Sequence, residues 1–376
     1  MIRTVAHTVL ASLLIAGCAP RAVQTDPYDL QARAEAFIAA NPEVPGVAVI
    51  IVDSTGAEIS AGAAGSASRG EGDAPPFTVD TPVRIASNTK TYVAATLLRL
   101  WEEGRLDIDA PIGGLIDGGF RGLLEGDGYP TSTITVRQVM AHSAGFFDHA
   151  QTDDYLEMIM AEPGKEWTRE EQVALAVRLG DPVAAPGEVY RYSDTGYLIL
   201  GHIIERLTGG TLAAAVRTEL ALDTLGLTST WWEIAESPPG GALGRAHQYS
   251  GGDDTHDWHG SIDLHGGGGI VASMRDLAAF NAALFRGDVF ERQETLEEMT
   301  SPKGAADPAS YRLGLQFGEV SGQPTIGHSG FWGTVVYHFP ELGITMAAVT
   351  TERSAMRPLR AMLASVAEEF GVVSSR

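Results

Sequence analysis

Strand-type apolar runs stand at both ends of this chain, and helix-type patterning fills the space between them. No other feature limits the fold as tightly. Residues 47–53 form a β-branched run, which Ser54-Thr55-Gly56 turns into a second strand over 57–64. Near the C-terminus, Leu313, Leu315 and Phe317 alternate, and runs at 325–330, 334–339 and 344–350 follow at turn spacing. The middle carries helical patterns at 91–103, 169–179, 195–207 and 275–285, with long loops. Strands so far apart share one sheet only if the chain ends meet. The expectation is therefore an α+β architecture: one antiparallel sheet closed by both termini, with an all-helical insertion and a cleft between the parts. Asp26-Pro27 reads as the opening of a helix that buries Leu30, Ala34, Phe37 and Ile38. Met356, Leu359, Leu363, Val366 and Phe370 make one stripe on a last helix. A domain over 27–373 is expected, with sheet parts at 27–80 and 305–373 and a helical part at 87–300.

The first residues read as an address rather than as fold. Arg3 supplies a positive start, 5–15 an apolar stretch too short to span a bilayer, and Ala16-Gly17-Cys18 a small-residue site. Cys18 is the only cysteine, so a disulfide within the chain is excluded. Ile15-Ala16-Gly17-Cys18 resembles the lipobox of bacterial lipoproteins, which implies a signal peptide at 1–17, a lipid on Cys18 and a tether over 18–26. The competing reading is a plain secretory signal. With lipidation, a periplasm-facing membrane anchor in the bacterial cell envelope is expected. A formal charge of −22 argues against nucleic acid and against electrostatic binding to anionic membranes.

Ser87 and Lys90 lie three residues apart at the mouth of an apolar helix, on one helical face. Lys90 is one of three lysines, with Lys165 and Lys303, against 23 arginines. Arginine cannot give up its proton, whereas a lysine can. In the first helical turn the dipole also disfavours positive charge, as a general base beside a serine requires. The plainer alternative makes Ser87 an ordinary N-cap and Lys90 a solvated residue.

Two more segments carry chemistry. Tyr192 offers a phenol able to relay a proton, and Asp194, two residues on, can hold an amine or amide; alternatively Asp194 caps the following helix and Tyr192 packs. Gly327-His328-Ser329-Gly330 ends a strand, where glycines admit close backbone approach by a substrate, or make a structural turn.

Ser87-x-x-Lys90, Tyr192-x-Asp194 and His328-Ser329-Gly330 occur in this order and at wide spacing. In this the chain resembles the serine β-lactamase and penicillin-binding protein superfamily, in particular the branch of class C β-lactamases, D-alanyl-D-alanine carboxypeptidases and related esterases. The similarity extends through 134–145 and 266–277. It implies that Ser87 is acylated, that Lys90 and Tyr192 exchange protons with it, and that the backbone N–H groups of Ser87 and Phe331 form an oxyanion hole. Asp194, His328, Ser329 and Gly330 would then contact a small-molecule or peptide substrate, with no cofactor or metal. Two departures stand out: Asp194 where asparagine is common, and His328 where β-lactamases carry lysine. The first favours an ammonium at Lys90 and shifts the role of base toward Tyr192. The second gives a poorer partner for a β-lactam carboxylate. A peptidase or esterase acting through an acyl-serine is thus expected ahead of a β-lactamase, with a non-catalytic binding protein as the further alternative.

Two decoys are set aside. Gly327 to Phe331 approximates a lipase nucleophile elbow, but only His338 follows and no acidic residue intervenes. His247, Asp253, Asp254, His256, Asp257, His259 and His265 crowd one loop without matching a metal motif, and read as a polar lining of the cleft.

Overall fold

The computed structural model describes residues 28–70 and 74–374. Asp26, Pro27 and Cys18 lie outside them, and with them the signal and lipidation readings. The first described helix, α1 (Leu30–Ala40), is capped by Asp29, whose carboxylate accepts from the Ala32 amide. Strands β1 (Gly46–Asp53) and β2 (Glu58–Gly65) follow. The helical part contributes α2 (Thr89–Glu102), α3 (Asp153–Ala161), α4 (Arg169–Leu179), α5 (Asp194–Thr208) and α6 (Met274–Arg286). The chain then returns to β3 (Gln316–Val320), β4 (Gln323–Gly330), β5 (Thr334–Phe339), β6 (Ile344–Thr350) and a final α7 (Met356–Ser374).

The six strands form one antiparallel sheet in the order β2-β1-β6-β5-β4-β3. Val47 pairs with Thr350 and Asp53 with Ile344, so the first and last strands lie side by side at the centre. The reason is readable in β1. Val47, Val49 and Ile51 enter one core with α1 and α7, whereas Ala48, Ile50 and Val52 enter the larger core under the helical part. A strand buried on both faces reads as a continuous apolar run, and such a run belongs inside a sheet.

The α+β expectation holds, with three differences of detail. Leu313 and Leu315 are fully buried but precede the strand, which begins at Gln316 and adds a fourth late member to the sheet. The insertion also contains short strands: Val83–Arg84, Thr230–Trp232 and Ile270–Ala272 form a small sheet of their own. That sheet fixes the chain three residues before Ser87. Helix α6 lies over β1 and β6 and so joins the sheet core rather than the helical part.

Candidate active site

Ser87 sits in a 3-10 turn, Ala86–Asn88, that runs directly into α2. The preceding Ala86 is held at φ +46°, a left-handed conformation costly for a residue with a Cβ. Two clamps hold the turn. Asn88 Nδ2 donates to Ile85 O (2.8 Å) and to Thr334 Oγ1 (2.9 Å). A Cβ on Gly330 would stand 2.2 Å from Ile85 O, so only glycine lets the end of β4 come so close. Close approach at Gly330 was expected; its partner is the Ser87 turn.

Lys90 is fully buried. Its ammonium donates to Ser87 Oγ (2.9 Å), to Gly267 O (2.6 Å) and to Asp194 Oδ1. Those three bonds use every donor it has. Ser87 is therefore an acceptor for Lys90, and not a helix cap. The cap of α5 is Ser193, whose hydroxyl accepts from the Gly196 amide, which leaves the Asp194 carboxylate free for Lys90. Tyr192 stands beside them: its ring lies 5.0 Å from Lys90 Nζ, and its phenol is within the influence of the Ser87 hydroxyl. Burial, aided by the charge of Asp194, pushes this phenol well above its ordinary range. The resting site thus holds a phenol and an ammonium around the hydroxyl, which weighs against a phenolate base at Tyr192.

Three further groups escaped sequence reasoning. Asp148 Oδ1 accepts from the amides of Asp194 (3.1 Å) and Ala150 (3.1 Å), and burial with the nearby Asp194 charge raises its carboxyl to about 7. Asp263 is likewise raised to about 7 by burial and by Asp194. Gly267 and Gly268 run between them: a Cβ on Gly267 would meet Asp194 Oδ1 at 2.7 Å, and one on Gly268 would meet Asp263 at 2.1 Å. The run of four glycines at 266–269 was the only sequence signal for this packing.

Two cavities meet at this point. A cleft of about 470 Å³ is lined by Ser87, Tyr192, Asp194, Asp263 and Phe331, with Tyr155, Leu156, Ile159, Trp258 and Ile262 as its apolar wall. A second, of about 750 Å³, holds Tyr190, Ser329, Gly330, Arg353 and Arg360. Tyr192, Phe331, Gln151 and Arg353 border both. Ser87 and Phe331, the two residues expected to supply oxyanion donors, face the same cleft. His328 does not. Its ring is turned into the interior, where Nε2 meets Tyr311 Oη at 3.0 Å, and burial lowers it to about 3. The expectation that this imidazole meets a substrate is corrected: on β4 the cleft side belongs to Ser329, whose hydroxyl donates to Gln316 Oε1 at 3.2 Å.

Neither decoy gains support. Ser329 lies within a strand, and His338 pairs with Thr345 Oγ1 (3.0 Å) inside the sheet. His247 stacks on His256 at 3.8 Å and bonds Asp254, while His265 bonds Trp167 O at 3.0 Å. Among the described residues no group of three or more His, Cys, Asp or Glu side chains is gathered for a metal. From that loop it is Ser250, Gly251, Trp258, Ile262 and Asp263 that line the cavities, not the histidines.

The chain is 28% identical over 259 residues to a D-aminopeptidase of Brucella ovis and 25% identical over 293 residues to a putative D-alanyl-D-alanine carboxypeptidase of Salmonella typhimurium. These alignments cover 68% and 69% of this chain, and 46% and 66% of the two relatives' own lengths. The D-amino acid amidase of Ochrobactrum anthropi SV3, solved with L-phenylalanine amide, superposes with a TM-score of 0.74 at 25% identity, over 92% of this chain and 99% of that one. The Beta-lactamase family model matches residues 34–369, nearly the whole described length, and with the site built from its serine, lysine and tyrosine the chain belongs to that family.

Proposed function

We propose that this protein is a serine hydrolase that cleaves amide or ester bonds of D-amino-acid compounds through an acyl-Ser87 intermediate. The observation that carries the reading is the hydrogen bond from Lys90 to the Ser87 hydroxyl, with Tyr192 beside it, in a cleft that Ser87 and Tyr192 both line. Ser87 Oγ attacks the carbonyl carbon, and the amides of Ser87 and Phe331 receive the developing oxyanion, each worth about 3 kcal/mol. Lys90 accepts the serine proton only after releasing one of its own. Asp194 is the carboxylate placed to take it, so the pair acts as the base unit. Tyr192 hands its proton to the leaving amine or alcohol and takes up the serine proton from Lys90, which recovers its own from Asp194. Water then hydrolyses the ester on Ser87. The D-amino-acid preference is supported by the relatives named above.

Ser87→Ala tests the reading. Turnover of a D-amino-acid p-nitroanilide should drop at least about a thousandfold, and stoichiometric labelling by a fluorophosphonate should vanish, with the melting temperature little changed. Near-wild-type turnover in that variant would refute it. The cell-envelope location rests on the Cys18 segment alone. Cys18→Ser should move the protein from the membrane to the soluble fraction; continued membrane association would remove the lipoprotein reading.

A further inference from the structure

Besides Asp194 the reactive cleft is lined by two carboxylates, the exposed Asp153 and the half-buried Asp263, and it is Asp263 that stands beside the Lys90–Asp194 pair with nothing to do there. It follows the 3-10 turn Gly260–Ile262 and opens on the same 470 Å³ space as Ser87. Among the described residues its carboxyl accepts no hydrogen bond and makes no ion pair, although its backbone amide donates to Gly260 O. The cations near it are committed elsewhere. Lys90 is held by Asp194, and Arg84 by a fork onto Glu233, with Nε and Nη2 at 2.7 and 3.1 Å. Asp148, the third carboxyl of the neighbourhood, is satisfied by two backbone amides and by Gln151. The glycine at 268 exists to let the Asp263 carboxyl lie against the backbone, since a Cβ would stand 2.1 Å from it. A half-buried carboxylate with no protein partner opens on whatever enters the cleft, and a ligand that carries a cation supplies the missing donor.

The surroundings say what kind of donor. The facing wall is apolar, made by Tyr155, Leu156, Ile159, Trp258 and Ile262, and the space takes about one large residue. A group that meets Ser87 with its carbonyl, the apolar wall with its side chain and Asp263 with a cation carries that cation on the atom next to the carbonyl. We propose that Asp263 is the counter-ion for a free α-ammonium group on the acyl donor, so that the site takes amides, esters and peptides of apolar amino acids with an unblocked N-terminus and rejects N-acylated ones. This rests on the acyl-Ser87 reading and narrows it to aminopeptidase- and amidase-type substrates, away from carboxypeptidase-type ones, whose acyl donor is N-blocked.

The test uses the full chain with D-phenylalanine p-nitroanilide and its N-acetyl derivative, which share the scissile bond. Wild type should favour the free amine at least a hundredfold in kcat/KM, and Asp263→Asn should reduce that ratio at least tenfold, mainly through KM. Protection of Ser87 from fluorophosphonate by D-phenylalanine amide, set against N-acetyl-D-phenylalanine amide, reads the same preference by binding alone. That arm needs neither turnover nor a variant that folds. Cleavage or protection by the two members of a pair within threefold of each other, or an unchanged ratio in Asp263→Asn, overturns the proposal. Equal treatment of the pair alongside stoichiometric labelling of Ser87 would remove only the Asp263 site. Absence of labelling would instead remove the acyl-enzyme reading beneath it.

Discussion

Gly267→Ala isolates the position of Asp194 from its chemistry. The glycine is not in the left-handed region, so alanine costs no backbone strain there. Removing a glycine also restricts the unfolded chain, a gain of about 0.4–1 kcal/mol. Against this, the new Cβ would lie 2.7 Å from Asp194 Oδ1, where ordinary contact starts near 3.4 Å, and the next nearest atoms of that side chain already stand at 3.4 Å. The carboxylate must retreat by the difference, about 0.7 Å. It cannot swing freely, because Lys90 Nζ holds it and Lys90 is itself pinned by the Gly267 carbonyl at 2.6 Å. Strain of this kind costs about 1–3 kcal/mol, so net stability should fall by roughly 2 kcal/mol or less. Catalysis should suffer more, since displacing a group that orients the base by a fraction of an ångström costs up to about a hundredfold. The expected outcome is a kcat/KM lowered ten- to a hundredfold on a p-nitroanilide substrate, with a cooperative thermal transition only a few degrees lower. Wild-type kcat/KM in a folded Gly267→Ala protein would show that the placement of Asp194 is immaterial to the base.

Other perturbations are equally direct. Lys90→Arg should lose at least about a hundredfold in rate, because guanidinium cannot act as a base and its volume overpacks a fully buried site; substantial activity would reduce the lysine to a fixed charge. Stability should fall on acidification between about pH 6.5 and 4. Burial keeps His142, His149 and His328 neutral in the folded state, with His149 at about 4 and His328 at about 3, so the unfolded chain binds their protons first. Asp148 and Asp263, raised to about 7, oppose this by binding protons in the folded state over the same window. Burial also lowers His338 to about 4 and holds down His202, His256 and His265, which outweighs the further raised carboxyls Asp127 and Asp276, so the net effect of acidification is a loss of stability; a melting temperature that rises from pH 6.5 to 5 would contradict the sign. Binding of D-phenylalanine amide to Ser87→Ala at pH 6.5 should release roughly half a proton, as the ammonium drives ionisation of Asp263; calorimetry in buffers of different ionisation heat would give zero slope if it does not.

The sheet was legible because burial on two faces leaves an unmistakable run in β1 and β6. The Ser87–Lys90 contact was legible because the two residues are neighbours on one turn. What failed depends on facts that a linear pattern does not hold. His328 and Ser329 are both polar and adjacent, and which of them faces the cleft is a matter of strand register, where one residue flips every side chain. Ser193 and Asp194 are both good caps, and only the position of Lys90, 104 residues earlier, decides that the serine caps and the aspartate pairs. Asp148 and Asp263 acquire meaning only when three segments meet at Lys90. Asp29 caps α1 with a left-handed backbone, φ +45°, which the Asp26-Pro27 reading did not anticipate.

One lysine is left to balance three carboxyl groups, and this ties activation of the serine to choice of substrate. With Asp194 paired to Lys90, the remaining acidic groups about that pair are Asp148 and Asp263, while Asp153 and Arg353 line the exposed side of the cleft. Asp148 and Asp263 are both pushed up toward neutrality, first by burial and then by the charge of Asp194. A ligand that brings another carboxylate to this side faces repulsion of about 3 kcal/mol for each ionised partner at ~5 Å and an effective dielectric near 20. A ligand that brings an ammonium gains a similar amount and leaves the Lys90–Asp194 pair undisturbed. Arg353 stacks on Phe331 at 3.9 Å where the two cavities join, and Arg360 lies in the outer cavity, so positive charge begins at Phe331 and continues outward. The cleft is therefore polarised along the path a substrate takes through it, negative where the acyl donor sits and positive where the leaving group departs. Such a gradient orients a free peptide with its amine inward and its carboxylate outward. A β-lactam carries its carboxylate on the leaving-group side and is oriented by half of that gradient only, since it has no α-ammonium unless its side chain supplies one.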